Sequence, residues 1–437
     1  MNNLFSRSSL KKNAILLLSG SAGELDWVLP ILDNLLKKGF CIKIIFLTRH
    51  SHLSVKRNRM LNDYISQQNS NIEFFLCGGY FFEKLEHFSY LAHRTSIKLN
   101  FYKKPIVRTI YNFLSNILKK FFLLCIPPLV LKLRNEKCIF FSEYPSLRRP
   151  RDSWLRSEFT QALFFYCPHS PHVYAEDLDT KHPIPQFKNL NSRFFLLLGH
   201  PSDFEMINDK KELDSPELEK VFIGHPKYSD SWLYELKRKS EAFRASISKR
   251  NKVNILILSR GSGSYLDDNS HANLIEMSVG AIRETLTEHN LFVKKHPREI
   301  DSHWDKVSQK YSSINIIEDH ILSIATSVDF VISFWSSGAM DCHALGVPVI
   351  EFFNPNEHSK QQIFNGSEYT TIYRLLGLVL SANNANELVN AILTLKKDNF
   401  SLSSIQPHSH YSELIRMSNE WNKKIDMILA HHKLINN

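Results

Sequence analysis

Ala14-Ile15-Leu16-Leu17-Leu18-Ser19-Gly20-Ser21-Ala22-Gly23-Glu24 joins an unbroken apolar run to a short polar turn, and Leu25 to Lys38 follows as a segment of helical length that stops at Gly39. An apolar run without polar alternation reads as a strand covered on both faces, and a glycine just past a helix is a common stop. Strand, tight loop and helix then recur, with Ile42 to Leu47 a second strand, Leu53 to Gln67 a helix and Ile72 to Leu76 a third strand. Strands joined by helix-length connections pair in parallel.

The pattern restarts at Val253 to Leu258, with Arg260-Gly261-Ser262-Gly263 as the loop and Ala272 to Glu288 as the helix. It continues through strand Leu291 to Lys294, helix His303 to Tyr311, strands Ile314 to Ile317 and Phe330 to Ser333, helix Ser337 to Leu345, strand Val347 to Phe352 and helix Asn386 to Lys396. The expected fold class is therefore α/β, with two Rossmann-like, doubly wound domains. We expect a first domain over 1–235, a second over 236–405 and a C-terminal helix over 406–437, with the junction between residues 225 and 250.

Composition agrees with a folded chain of this size. Its 437 residues are 43% hydrophobic and 22% charged, which excludes disorder and collagen, and 14 Gly with 17 Pro leave little for long flexible linkers. The formal charge of +10 favours polyanionic partners: nucleic acid, anionic membrane, phosphorylated substrate or acidic glycan. The 6 cysteines are scattered, with no CxxC pair or zinc-finger spacing, as expected of a reducing cytoplasm. Ala14 to Leu18 is too short for a signal-peptide core. Phe121 to Leu131, broken by Pro127 and Pro128, is well short of the roughly 20 apolar residues that span a bilayer.

The strongest compositional bias lies between His87 and Asn135, which holds 9 Lys/Arg and no Asp or Glu. Its lysines, Lys103, Lys104, Lys119 and Lys120 among them, alternate with Phe101, Tyr102, Tyr111, Phe113, Phe121 and Phe122. This composition suits a basic amphipathic surface lying on anionic lipid; a core helix with solvated lysines gives the same pattern. Arg151 belongs to a second charged group, with Glu143, Arg148, Arg149 and Asp152, after the strand Cys138 to Ser142, where an acidic acceptor or plain solvent would suit it.

Two segments carry candidate chemistry. Phe292-Val293-Lys294-Lys295-His296-Pro297-Arg298 is a strand ending in a His-Pro turn, which puts His296 at the carboxyl edge of the second sheet, where open α/β folds bind ligands. Phe330-Val331-Ile332-Ser333-Phe334-Trp335-Ser336-Ser337-Gly338-Ala339-Met340-Asp341 repeats strand, polar turn and helix start, an arrangement suited to phosphate. Each has a plainer reading, a surface histidine and a serine N-cap. Their equivalent positions at neighbouring strand ends favour convergence on one anionic group such as a nucleotide phosphate.

These residues resemble the donor half of GT-B glycosyltransferases. Lys295-His296-Pro297, Ser336-Ser337 and Leu345-Gly346-Val347-Pro348 look closest to enzymes with cytidine-activated donors: bacterial sialyltransferases, capsule Kdo transferases and CDP-glycerol glycerophosphotransferases. Upstream, Phe164-Phe165-Tyr166-Cys167-Pro168-His169 and Val221-Phe222-Ile223-Gly224-His225-Pro226-Lys227 look like segments of the third group. The resemblance implies two domains facing across a cleft. It gives Lys295, His296, Pro297, Ser336, Ser337 and Gly338 to the donor phosphate, lines the same cleft with Ser259, Arg260 and Gly261, and brings Asp341 to ribose hydroxyls.

The implied reaction is inverting transfer, independent of metal and cofactor, of an acidic sugar of sialic, nonulosonic or Kdo type from a CMP-activated donor. The acceptor would be a growing bacterial surface polysaccharide or lipooligosaccharide, and the enzyme would sit peripherally on the inner face of the membrane. Glu24, Asp26 and His169 are the candidates for the general base; the acidic Asp/Glu-Asp/Glu-Gly motif of bacterial sialyltransferases is absent, with Gly23-Glu24-Leu25-Asp26 in its place. His169-Ser170 and Lys227 depart from the glycerophosphotransferase pattern, which sets transfer of a polyol phosphate second.

A UDP-GlcNAc 2-epimerase is a further alternative, without the Gly-Thr-Arg-Pro-Glu-like start after the first strand. A basic nucleic-acid-binding protein comes last; the leading reading has no nucleic-acid partner. Asp177-Leu178-Asp179 matches the short DxD pattern of metal-dependent transferases but does not follow a strand, and Gly261-Ser262-Gly263 lacks a P-loop lysine.

Overall fold

The computed structural model describes residues 12–67, 71–77, 84, 105–144, 151–168, 193–201, 218–241, 252–261, 266–296, 299, 303–311, 314–355, 357, 363–365 and 368–435. The chain forms two compact units: Met1–Lys56, Asp63–Lys227 and Glu420–Asn437 make the first, Arg57–Asn62 and Tyr228–Asn419 the second.

In the first unit, seven parallel strands lie in the order β3-β2-β1-β4-β5-β6-β7: β1 Asn13–Leu18, β2 Cys41–Phe46, β3 Ile72–Leu76, β4 Cys138–Glu143, β5 Leu163–Cys167, β6 Arg193–Leu198 and β7 Leu218–Phe222. Helix α1 (Ala22–Lys37) follows β1. Its first turn is closed by a capping box between Ser21 and Glu24, and Gly39 beyond its end takes the left-handed φ of +80°. The register pairs Phe140 with Phe164 and Phe164 with Phe194 on one face, Phe141 with Phe165 and Phe165 with Phe195 on the other. The result is two aromatic ladders with ring centroids 5.0 to 5.6 Å apart, one on each side of the sheet.

The expected helix Leu53 to Gln67 is instead two helices, α2 (Arg49–Arg57) and α3 (Arg59–Gln67). Between them the Asn58 side chain accepts a hydrogen bond from the Leu61 amide at 3.3 Å, so Asn58 starts a new helix, a use for which asparagine is well suited. Helices α4 (Pro105–Cys125), α5 (Pro128–Leu131) and α6 (Arg151–Glu158) complete the described helices of 105–158. Phe122, Ile126 and Val130 join Trp154 and Leu155 in the core beside β4 and β5.

The second unit holds six parallel strands in the order β10-β9-β8-β11-β12-β15: β8 Val253–Leu258, β9 His289–Lys294, β10 Ile314–Ile317, β11 Phe330–Ser333, β12 Val349–Phe352 and β15 Leu380–Ala382. A separate antiparallel hairpin, β13 (Ile363–Asn365) with β14 (Glu368–Thr370), was not expected. Its helices are α7 (Asp230–Lys239), α8 (Asp268–Thr285), α9 (His303–Lys310), α10 (Ile321–Ala325), α11 (Gly338–Ala344), α12 (Ile372–Leu375) and α13 (Ala385–Lys397); the last helix, α14 (Ser409–His431), starts in this unit, and its residues from Glu420 on belong to the first. Helix α8 begins four residues earlier than expected because Asp267 caps it, accepting from the Ser270 amide at 2.8 Å.

Both sheets run outward from their first strand and then cross to its other side. Each therefore has a topological switch point, between β1 and β4 in one unit and between β8 and β11 in the other, and the carboxyl edge there is where open α/β sheets take ligands.

Candidate functional site

At the second unit's switch point, Leu258 pairs with Lys294 of β9 on one side and Ser333 of β11 on the other. The three strands thus end level, which brings Ser259, Arg260, Gly261, Lys295, His296, Ser336, Ser337 and Gly338 to one sheet edge. Pro297 lies outside the described residues.

The turn after β11 is built from its own side chains. Ser333 Oγ accepts from the Ser336 amide at 3.0 Å, and Ser336 Oγ accepts from the Gly338 amide at 3.3 Å. Two of the amides expected to await an anion thus already have hydroxyl partners, and α11 is a short helix of 7 residues. Trp335 takes φ +56°, a strained left-handed conformation for a tryptophan. Its indole stacks on Phe353 at 5.1 Å, and Arg260 donates to its carbonyl at 2.7 Å with the guanidinium 4.6 Å from the ring centroid. Arg260 is thereby a support for the turn. Lys295 pairs with Asp305 at 2.7 Å, and buried Asp341 accepts from the Tyr228 hydroxyl at 2.8 Å.

Beneath this edge is a polar cluster that sequence patterns did not reveal. Ser259 Oγ accepts from Trp304 Nε1 at 2.8 Å and lies 3.1 Å from His271 Nε2, which is 3.6 Å from Glu299 Oε1. Desolvation, aided by His303, pushes the His271 pKa down to about 4, so the ring is neutral at neutral pH. Burial pushes the Glu299 carboxyl up, against the opposing pull of the Ser259 hydroxyl and the His296 backbone. The nearest sequence signal was Glu299 following the His-Pro turn; His271 and Trp304 come from distant helices.

The candidate bases of the first unit are differently placed. Glu24 is buried and accepts from the amides of Ser19 at 2.9 Å, Gly20 at 2.5 Å and Ser21 at 3.3 Å, closing the loop after β1 with its own carboxylate. Asp26 forms a buried ion pair with Lys227 at 3.0 Å. Neither carboxylate is thus presented as a ready proton acceptor. His169 lies outside the described residues, as do Asp177 and Asp179. Glu143, at the end of β4, accepts from the Ser19 hydroxyl at 3.3 Å and is half-buried.

On the basic segment, Lys103 and Lys104 fall outside the described residues, and Arg151 opens α6. Lys119 is held by Glu158 at 2.8 Å and Ser157 at 2.7 Å, whereas Lys120 is exposed. Among the described residues no helix is long and apolar enough to cross a membrane, and no group of three or more His, Cys, Asp or Glu side chains is placed to hold a metal ion.

The fold is of the GT-B type, two Rossmann-like α/β units in one chain. The chain is similar in structure to S. aureus MnaA with UDP (12% identity, 98% of each chain covered, TM-score 0.56). It is similar also to Methanocaldococcus jannaschii UDP-GlcNAc 2-epimerase in complex with UDP-GlcNAc and UDP (13% identity, 96% of this chain and 99% of that one, TM-score 0.52). Arabidopsis thaliana UGT89C1 complexed with UDP gives 9% identity over 97% of this chain and 100% of that one, with a TM-score of 0.52. No known family model matches the sequence, nor does any curated protein.

Proposed function

We propose that the chain is an inverting glycosyltransferase that takes an acidic sugar from a CMP-activated donor and adds it to a bacterial surface glycan or glycolipid. The observation that carries the reading is the level ending of β8, β9 and β11, which gathers His296, Ser336 and Ser337 at one switch point. UDP and UDP-GlcNAc in structures of the same architecture support a nucleotide-sugar donor; the His-Pro and Ser-Ser turns favour the CMP type.

In the proposed reaction the acceptor hydroxyl oxygen bonds to the anomeric carbon as the bond from that carbon to the phosphate oxygen breaks. CMP leaves with the electron pair, and configuration inverts. Charge developing on the phosphate is met by His296 and the serine hydroxyls, groups held in place before the reaction. The acceptor proton passes to a general base, for which Glu143 and His169 are the candidates. Lys120 and the exposed apolar residues around it would hold the enzyme to the anionic inner face of the membrane.

A second reading, an enzyme acting on UDP-GlcNAc as the 2-epimerases do, is favoured by the likeness to the M. jannaschii structure. A thermal-shift series with CMP, CDP, UMP, UDP, GDP and ADP separates the two. A ligand at a hundred times its Kd adds about 2.7 kcal/mol of stability. A shift with CMP that His296→Ala abolishes is the expected result; preference for UDP selects the second reading, preference for CDP a polyol-phosphate transferase, and no shift with any nucleotide overturns the proposal.

A further inference from the structure

We propose that Glu299 is a positioning residue whose buried carboxylate couples the turn bearing His296 to the loop bearing Ser259, Arg260 and Gly261. The inference rests on the nucleotide site proposed above and goes further, assigning a role to a side chain that does not itself face the donor.

Four observations converge on it. Glu299 closes the His296 turn from both directions, its Oε2 accepting from the His296 amide at 3.3 Å and its own amide donating to the His296 carbonyl at 2.8 Å. The carboxylate is turned inward, with the side chain only 2% exposed. There its other oxygen, Oε1, stands 3.6 Å from His271 Nε2, on the side of the Ser259 hydroxyl. Finally, Gly261 lies directly against it: a Cβ at position 261 would come 2.7 Å from Glu299 Cγ and 2.9 Å from its Cβ.

A desolvated carboxylate is an expensive way to fill an interior, and an apolar side chain of the same volume would cost less. Packing alone therefore does not account for it. What the carboxylate adds is an acceptor for the His296 amide, placed so that a shift of the Gly261 loop moves Glu299 and a shift of Glu299 moves His296. The hydroxyl of Ser259 ties the same group to Trp304, because the indole N–H can only donate and so leaves the hydroxyl proton for His271 or Glu299.

The test is calorimetric binding of CMP, CDP and UDP to the full chain, with the apo thermal midpoint recorded for each variant. Glu299→Ala should weaken the nucleotide that wild type binds by about ten-fold, the size of one lost buried hydrogen bond, while its apo midpoint stays above the temperature of the titration. Glu299→Gln keeps an acceptor for His296 and should recover affinity to within about three-fold of wild type. Gly261→Ala, which leaves the carboxylate in place but pushes it, should weaken binding as Glu299→Ala does, and the double variant should be no worse than either single one.

Wild-type affinity in Glu299→Ala and in Gly261→Ala, in a protein where His296→Ala still abolishes binding, overturns the role of Glu299 and leaves the nucleotide site standing. Failure of wild type to bind any of the three nucleotides overturns both. Should Glu299→Ala not fold, Glu299→Gln and Gly261→Ala decide: a Glu299→Gln variant that has lost affinity, or a Gly261→Ala variant that has kept it, sinks the proposal.

Discussion

Asp26 and Lys227, 201 residues apart in the chain, meet as an ion pair of 3.0 Å, each side chain less than a tenth exposed at 8% and 6%. The pair pins the Gly224-His225-Pro226-Lys227 turn to the first turns of α1, and the neighbouring Trp27 indole reinforces it by donating to His225 Nδ1 at 2.8 Å. Removing one partner takes away the other's buried counter-charge. Asp26→Ala should therefore cost about 3–5 kcal/mol in urea unfolding, and Asp26→Leu combined with Lys227→Met should recover most of that loss. A double variant as unstable as the single one would show that the site needs the charges themselves.

Gly338 is confined in the same literal sense. A methyl group there would collide with Ile321 Cδ1 and come 3.0 Å from Leu258 Cδ1, so the start of α11 packs on the end of β8 and on α10 through bare backbone. Gly338→Ala should cost about 1–3 kcal/mol of stability, typical of an overpacked interior, and weaken nucleotide binding through the displaced Ser336-Ser337 turn. Ile321→Val deletes the colliding carbon; in the Gly338→Ala background it should restore a large part of both. Binding titrations and denaturation curves on the two variants check this, and no recovery in the pair would place the strain elsewhere.

The parts of this molecule that local chemistry decides were legible in the sequence. Apolar runs such as Ala14 to Leu18 and Val253 to Leu258 are strands because their length and lack of alternation permit little else, and the turns after Lys294 and Ser333 follow from where those runs end. The break at Asn58 escaped because the apolar period continues across it while the side chain caps a new helix. Relations set by three-dimensional closure were not legible at all. The Ser259–His271–Glu299–Trp304 cluster draws on two loops and two helices, and Asp26 meets Lys227 only when β1 and β7 share a sheet. Glu24 was a candidate base in the Gly loop, whereas in the first turn of α1 its oxygens accept from the amides of Ser19, Gly20 and Ser21.

Acid should destabilise the second unit through its neutral buried histidines. His343, edge-on to Tyr411 at 5.1 Å, has its pKa pushed down to about 4 by desolvation, and His271 is pushed to about 4 by the same cause. Since both lie below the value near 6.5 expected in the unfolded chain, the unfolded state takes up protons first as pH falls. The contribution is complete above about pH 6.5 and is lost progressively toward pH 4. Glu299 and Glu351, whose carboxyls burial pushes up, act in the opposite sense, and what they contribute is lost as pH rises through their folded values. His343→Phe should flatten the fall in stability between pH 6 and 4.5 by up to one proton, about 1.4 kcal/mol per pH unit. An unchanged slope in unfolding curves over that range would show that His343 is not among the groups responsible.

The outer face of α4 and α5 separates the two explanations of the basic segment. Phe122, Ile126 and Val130 are buried and hold these helices to the core, yet Phe113 is 64% exposed, Phe121 51%, Leu124 80% and Leu129 53%. Phe113, Lys120, Phe121 and Leu124 recur at helical spacing on one side of α4, which a helix with a merely solvated polar face would not require. Phe121→Ser with Leu124→Ser should reduce co-sedimentation with vesicles containing anionic lipid several-fold, while stability, for exposed positions, stays within about 0.5 kcal/mol. The two neighbouring lysines should also behave differently. Lys120→Ala should weaken binding in a salt-dependent way, whereas Lys119→Ala should have the smaller effect, because its ammonium is already held by Glu158 and Ser157. Equal sedimentation of wild type and of the variant carrying both Phe121→Ser and Leu124→Ser would assign the lysines to solvent and remove the membrane from the proposed function.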